Sequence, residues 1–253
     1  MSESLTLALL LGTGVSAGFV DSIAGGGGLI TLPMLLSVGM DPKLALGTNK
    51  LQATFGSGSA TLHYARAGAV RFKDFRRACL LAFLGSTLGS LLVQQLNAGV
   101  LKRFIPVVLV LVALYIWLRP QLGESDGVPR MSRPAFDSLF GLGLGFYDGF
   151  IGPGTGTFFT MAFMVWLGFN FTRATAATKL LNFSTNLASL GVFLLFGKIW
   201  LLAGLVMGAG QWCGAWLGSH LVMRHGARFI RPIFLGVVLL ITLHMVYLAW
   251  IKP

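Results

Sequence analysis

Apolar runs of about twenty residues, joined by short polar connections, make up most of this chain. An α-helix rises about 1.5 Å per residue, so such a run is long enough to cross the ~30 Å hydrocarbon core of a bilayer. Hydrophobic residues make up 55% of the 253 residues and charged residues only 11%. The runs lack the alternation of apolar and polar residues that a membrane barrel needs. The sequence therefore predicts an all-α polytopic membrane protein.

The apolar runs fall into two sets. A connection rich in proline, glycine and charge separates them, so we expect a first transmembrane repeat over residues 1–118, a linker over 119–134 and a second repeat over 135–253. In chain order, the runs cover residues 5–24, 27–40, 44–65, 75–96 and 100–118, then 135–151, 155–168, 174–196, 199–222 and 229–251.

The two sets match one another in register, which indicates an internal duplication. Lys50 matches Lys179 at an offset of 129 residues, and Asp21 matches Asp148 at an offset of 127. Each aspartate precedes a glycine-rich break, and the second break is therefore two residues longer than the first. The offset of 129 also relates three pairs of glycines: Gly68 and Gly197, Gly85 and Gly214, and Gly89 and Gly218.

The second run of each set is too short to cross a bilayer. About fourteen residues make a helix of only ~21 Å. Such segments form half-helices or re-entrant hairpins, whose irregular backbone is kept away from lipid. Short, glycine-interrupted segments at matching positions of two repeats indicate a transporter site near the membrane midplane. We therefore expect broken or re-entrant helices to meet at the midplane.

Basic residues predict how the repeats are oriented. The formal net charge is +11, but the basic residues lie mainly in the connections, so nucleic-acid binding is not expected. Cytoplasmic loops collect such residues, and the side on which they cluster reverses between the two sets. The sequence therefore predicts inverted repeats with both termini outside. The clusters are Arg66, Arg71, Lys73, Arg76 and Arg77 in the first set, Arg119, Arg130 and Arg133 in the linker, and Arg224, Arg228 and Arg231 in the second set.

Polar residues inside the runs favour an anionic substrate. Lys179, Asn182 and Asn186 share one helix face at spacings i, i+3 and i+7, and Lys50 shares a face with two hydroxyl side chains. An amine beside amide and hydroxyl donors can bind an oxyanion, and the N-termini of half-helices after the glycines add backbone N–H groups. The candidate substrate-binding residues are Asn49, Lys50, Gln52, Thr178, Lys179, Asn182, Asn186, Gly26, Gly27, Gly154 and Thr155.

These charged residues also have structural interpretations. Each lysine lies close enough to the end of its run for its amine to snorkel back to the membrane interface. Asp21 and Asp148 are candidates for gating or for proton coupling, because ionisable groups inside membrane spans tend to be functional. Alternatively, each carboxylate caps a broken helix or pairs with a lysine.

The remaining patterns indicate packing. Cys79 and Cys213 are isolated, without a metal or redox spacing, so we expect neither a metal nor a cofactor. Glycines one turn apart, at positions 85 and 89 and again at 214 and 218, let helices approach closely. Whether that packing joins helices of one protomer or of a homodimer is left open by the sequence.

The sequence resembles the TauE/SafE sulfite exporter family of membrane permeases, also called the toluene-sulfonate uptake permease family. The resemblance covers nearly the whole chain. It is carried by residues 18–21 (Gly-Phe-Val-Asp) with the glycines that follow, by 47–51 (Gly-Thr-Asn-Lys-Leu), by 145–149 (Gly-x-x-Asp-Gly) and by 178–182 (Thr-Lys-Leu-x-Asn). It implies a multi-pass protein of the cell inner membrane that moves sulfite, sulfonates, sulfoacetate or other small organic anions. Pro153 and the longer second break are departures that bear on the substrate.

Three functions follow from these patterns. The leading hypothesis is a secondary carrier or facilitator for small organic or sulfur-containing anions, working by alternating access. The sequence contains no Walker A pattern, so we do not expect ATP to drive it directly. An intramembrane aspartyl enzyme, with Asp21 and Asp148 sharing a proton, is an alternative. A membrane scaffold without transport is another, but it leaves the matched lysines unexplained.

Overall fold

The computed structural model describes residues 3–118 and 125–224, and within these ranges the chain is helical apart from short connections. No β-strand occurs among the described residues, which confirms the all-α prediction. The run predicted at 229–251 lies outside them. The helices are α1 (Glu3–Ala24), α2 (Gly27–Ser37), α3 (Pro42–Arg66), α4 (Phe72–Gln95), α5 (Ala98–Leu118), α6 (Arg133–Phe136), α7 (Leu142–Phe150), α8 (Thr155–Leu167), α9 (Phe171–Leu195) and α10 (Leu201–Arg224), with a π-helical turn (Asp137–Gly141) between α6 and α7.

Three described helices, α1, α4 and α10, are long and apolar enough to cross a bilayer by length and composition. By contrast, α2 has 11 residues and α8 has 13, so each is shorter than a full span. Large apolar side chains on the outer faces of α4 and α10 are exposed, as a lipid-facing surface requires. They include Leu80, Leu84, Leu88, Leu201, Leu205 and Leu217.

Matching caps start α3 and α9. The Asp41 side chain accepts a hydrogen bond from the Lys43 backbone N–H, and the Asn170 side chain accepts one from the Arg173 N–H. Asp41 and Asn170 are themselves 129 residues apart. Side-chain oxygens at these positions satisfy N–H groups that the first helical turn leaves unpaired. The long polar helices α3 and α9 therefore begin at positions that match in sequence.

Helices α3 and α9 pass each other in antiparallel directions at the centre of the molecule. Gly47, near the start of α3, packs against Phe193, near the end of α9, and Gly58 packs against Phe183 further along. Between these contacts, the Asn186 amide lies 3.5 Å from the Ser57 hydroxyl oxygen. Because α3 and α9 are central, their polar side chains are buried inside the protein.

Glycines let α4 pack closely on α7, and α10 pack closely on α1. A Cβ at Gly85 of α4 would collide with the Leu142 carbonyl of α7, and a Cβ at Gly214 of α10 would collide with the Val15 carbonyl of α1. The two collisions lie at matching positions of the two repeats. The glycine pairs therefore pack helices within this chain, and each contact joins one half to the other.

Candidate substrate site

The two helix breaks touch each other. Gly25, between α1 and α2, has a φ of +80°, which favours glycine because a Cβ is strained there. A Cβ at this position would also overlap the backbone of Gly156, at the start of α8. The first break therefore lies directly against the beginning of the half-helix that follows the second break.

Lys179 and Asp21 form an ion pair beside these breaks. The Lys179 amine on α9 lies 2.9 Å from one carboxylate oxygen of Asp21 on α1. The other carboxylate oxygen accepts a hydrogen bond of 3.1 Å from the Gly27 N–H, in the first turn of α2. Asp21 thus both caps the N-terminus of α2 and neutralises a lysine from the other half of the chain.

Lys50 and Asp148 repeat the pairing with the halves exchanged. The Lys50 amine on α3 lies 2.9 Å from a carboxylate oxygen of Asp148 on α7 and also donates to the backbone carbonyl of Asp148. This pair is the more enclosed of the two, because Asp148 is 6% exposed at its side chain and Asp21 is 19% exposed. Neither lysine amine reaches the surface, so the snorkelling alternative is wrong for this structure.

The pairing determines what the charged groups are free to do. An ion pair taken out of water is maintained only when its partners satisfy each other, and removing one partner leaves an uncompensated buried charge. Each carboxylate pairs with a different lysine, whereas the enzyme alternative would have Asp21 and Asp148 share a proton. In this structure each lysine therefore has its charge balanced by a carboxylate of the other half.

A small cavity lies between the breaks and the ion pairs. It offers about 30 Å³ to the centres of water molecules, which is room for roughly two of them. A sulfonate does not fit in this volume. The lining residues are Asp21, Gly25, Gly27, Gly28, Asn49, Lys50, Gln52, Ala53, Asp148, Gly152, Gly154, Thr155, Gly156, Asn182, Asn186 and Gln211.

Most of the candidate residues meet at this cavity. Asn49, Lys50, Gln52, Asn182, Asn186, Gly27, Gly154, Thr155 and both aspartates line it, whereas Gly26, Thr178 and Lys179 do not. Lys179 is separated from the cavity by its partner Asp21, which lines it. The Thr178 hydroxyl accepts a hydrogen bond of 3.0 Å from the Thr160 hydroxyl. The structure therefore brings the predicted residues of both halves together, with one lysine screened by its carboxylate.

Most amide side chains at the cavity have a residue without an amide at the matching position of the other half. Gln52 donates its amide N–H to the Asn49 amide oxygen at 2.8 Å, and the Thr31 hydroxyl donates to the same oxygen. The positions matching Asn49 and Gln52 are Thr178 and Leu181, so the second half has no such pair. The cavity is consequently asymmetric even though the ion pairs are repeated.

The hydroxyls that share a face with Lys50 do not supply the predicted donors. Thr54 donates to the Lys50 carbonyl at 2.8 Å, and Ser57 donates to the Ala53 carbonyl at 2.7 Å. Both bonds lie within α3. Serine and threonine hydroxyls in helices commonly donate to a carbonyl of the preceding turn. Sharing a helix face with Lys50 therefore does not make these hydroxyls available to a ligand.

Sequence reasoning missed several lining residues. Five of them are small residues, and a glycine or alanine in a break or an apolar run has no side-chain donor or charge that would single it out. They are Gly25, Gly28, Ala53, Gly152 and Gly156. Gln211 was also missed, although it is an amide within an apolar run and its matching position is Ala82. That difference between the halves was the available signal. In the described ranges, no group of three or more His, Cys, Asp or Glu residues is placed to hold a metal.

Comparison with known proteins identifies a family for this sequence. The sequence model of the family described as Sulfite exporter TauE/SafE matches residues 10–245. The chain belongs to the TauE/SafE family. Its matched region includes both breaks and both ion pairs. No solved structure matches the chain significantly.

Similar curated proteins cover almost the full TauE/SafE chain. A "Probable membrane transporter protein" of Haemophilus influenzae is 46% identical over 95% of this chain and 94% of its own. "Probable membrane transporter protein ORF9" of a Sinorhizobium species is 47% identical over 90% and 87%. "Probable membrane transporter protein YfcA" of Escherichia coli K12 is 43% identical over 98% and 92%. This TauE/SafE chain is a multi-pass membrane transporter.

Proposed function

We propose that the protein is a secondary carrier or facilitator for small organic or sulfur-containing anions such as sulfite, sulfonates or sulfoacetate. The observation that carries the proposal is the pair of buried lysines, each held by a carboxylate from the other half at the contact between two helix breaks. An ammonium group inside a protein is costly unless an anion neutralises it. Here the resident carboxylates occupy the places that a substrate anion would take.

In this proposal, Asp21 and Asp148 gate the site. An incoming anion displaces a carboxylate from its lysine, and the N-termini of α2 and α8, which line the cavity, add positive dipole ends. When the anion leaves, the carboxylate returns and the site closes. The closed cavity supports this order of events, because it is too small for the substrate while both ion pairs are made.

Movement of one half against the other would open the site to either side. The antiparallel course of α3 and α9, which match in sequence, supports an inverted arrangement of the two repeats. Both ion pairs join different halves, so relative motion of the halves would change them together. Alternating access through the cavity is thus the transport mechanism that we propose.

Uptake into liposomes tests the proposal. Purified protein is reconstituted, and uptake of labelled sulfite, methanesulfonate and sulfoacetate is compared with that of empty liposomes. We expect saturable uptake of at least one of these anions and competition among them. Absence of uptake and of binding for all three would refute the proposal and leave the scaffold alternative. Cleavage of membrane peptides that is lost in Asp21→Asn and Asp148→Asn would instead support the enzyme alternative.

A further inference from the structure

The cavity contains a set of oxygen acceptors that the lysine pairs do not explain. Four side-chain oxygens of lining residues are buried and lack a hydrogen-bond partner among the residues that the structure describes. The four residues are each at most 5% exposed and come from α3, α7, α9 and α10. The oxygens are Gln52 Oε1, Asp148 Oδ2, Asn182 Oδ1 and Gln211 Oε1. An unpaired buried acceptor costs roughly 1–3 kcal/mol, so four on residues that line one cavity favour a ligand that would satisfy them.

Hydrogen bonds and packing hold two of these oxygens in place. Gln52 Nε2 is committed to Asn49 Oδ1 at 2.8 Å and to Thr31 Oγ1 at 3.3 Å, so Oε1 is the atom left over. The Gln211 amide oxygen packs against Gly56 and Gly18. A Cβ at Gly56 would collide with this oxygen, and a Cβ at Gly18 would lie only 2.9 Å from it. Glycines at these positions therefore leave room for the Gln211 side chain, and Gln211 is one of the residues that line the cavity.

The charges at the cavity explain why a cation would accompany an anion. Lys50 and Lys179 balance Asp148 and Asp21, so the closed site is neutral. A singly charged anion that enters leaves one net negative charge away from water, which is unfavourable. Asp148 is already placed to share its charge, because Oδ1 contacts Lys50 while Oδ2 is unpartnered within the described part of the chain. One monovalent cation at Oδ2 would restore neutrality.

We propose that the cavity binds one sodium-sized monovalent cation, held by Asp148 Oδ2 and the amide oxygens of Gln52, Asn182 and Gln211, and that this cation accompanies the anion. A proton would also neutralise the charge, but it would occupy one acceptor and leave three unpaired. An alkali cation takes several oxygen ligands at once, and broken helices of transporters supply such oxygens near the midplane. Binding of the cation is independent of the proposed function, whereas its passage with the anion rests on it.

Thermal unfolding of the purified protein without an anionic substrate tests the site. Sodium chloride is compared with choline chloride at constant total salt, so that only the cation changes. We expect the unfolding midpoint to rise with Na⁺ concentration, by about 3–5 °C when Na⁺ reaches about ten times its Kd. Gln211→Leu should abolish the response, and Thr175→Val should keep it. Thr175 is a suitable control because its hydroxyl is also buried without a described partner but does not line the cavity.

Identical unfolding curves in Na⁺ and choline would mean that water alone fills the cavity and would overturn the proposal. An undiminished Na⁺ response in Gln211→Leu would overturn the assignment of ligands. If Gln211→Leu does not fold, equilibrium binding of ²²Na⁺ to the wild-type protein decides instead, with a stoichiometry near one expected. No saturable binding of ²²Na⁺ would refute the site.

Transport by the wild-type protein tests the coupling. Methanesulfonate uptake into liposomes should be about tenfold faster with an inward Na⁺ gradient than with choline, and a proton ionophore should not remove the difference. Uptake that ignores Na⁺ but collapses with the ionophore would overturn cation coupling while leaving the proposed function intact. Absence of methanesulfonate, sulfite and sulfoacetate uptake under every condition would refute the proposed function, while Na⁺ binding would still be judged by unfolding.

Discussion

Lys50 neutralises Asp148 where bulk water is excluded, since the two side chains are only 2% and 6% exposed. Lys50→Met leaves a buried carboxylate without its partner, which typically costs about 3–5 kcal/mol. We expect this variant to unfold at a clearly lower temperature, and Lys50→Met/Asp148→Asn to regain most of the loss. Lys179→Met should lose less stability, because the Asp21 side chain is 19% exposed. Equal losses in both single variants, measured by thermal unfolding in detergent, would contradict the difference in burial.

The double variant at Lys50 and Asp148 also separates stability from anion recognition. It has no buried unpaired charge, yet it lacks an ammonium group to bind an anion. A charge-assisted hydrogen bond contributes roughly 1.5–3 kcal/mol, so affinity for methanesulfonate should fall about tenfold to a hundredfold in equilibrium binding. Lys50→Arg should restore little, because the rigid guanidinium fork needs a different cavity. Wild-type affinity in the folded double variant would remove Lys50 from the site.

At the scale of helices, the contact between the breaks should be intolerant of added volume. Gly25→Ala introduces both a strained φ and a collision with the Gly156 backbone, so we expect loss of uptake and lower stability. Gly39→Ala is the matched control, because Gly39 has a φ of +86° but a Cβ there meets nothing within 4 Å. The control should lose only the roughly 1–2 kcal/mol of backbone strain and keep its uptake. Similar uptake in both variants would show that the close approach of the breaks is not needed.

At the scale of the whole molecule, the inverted arrangement that we propose would place matching connections on opposite sides of the membrane. Ala67 and Phe196 are both exposed and lie 129 residues apart, at the ends of α3 and α9. In a background with Cys79 and Cys213 replaced by Ser, we expect Ala67→Cys to react with an impermeant maleimide only from the cytoplasmic side. Basic residues around Arg66 favour that side. Phe196→Cys should react only from outside, and labelling of both from one side would contradict inversion.

Helix positions could be predicted well because each depends on a local pattern. The run predicted at 155–168 is the helix Thr155–Leu167, with glycines at both ends. The pairing of Lys50 with Asp148 was only one alternative, because it depends on how α3 and α7 are placed, and spacing along one helix carries no such information. Gln211 was missed for the same reason, since its importance appears only where α10 meets the breaks. Local periodicity determines elements, whereas partners are determined by packing between elements.

The reciprocal ion pairs make each half of the chain complementary to a second copy of itself. A half-length ancestor carrying one aspartate and one lysine at these positions could have formed both pairs by associating in opposite orientations, as an isologous dimer does. Fusion of two such copies would preserve the pairs. Each other position would then occupy a single environment, and the two halves could diverge in sequence. Two such differences are Gln211, which matches Ala82 in sequence, and Gln52, which matches Leu181. The matching charges would then be inherited from the ancestor, and the unmatched amides would have arisen after the fusion.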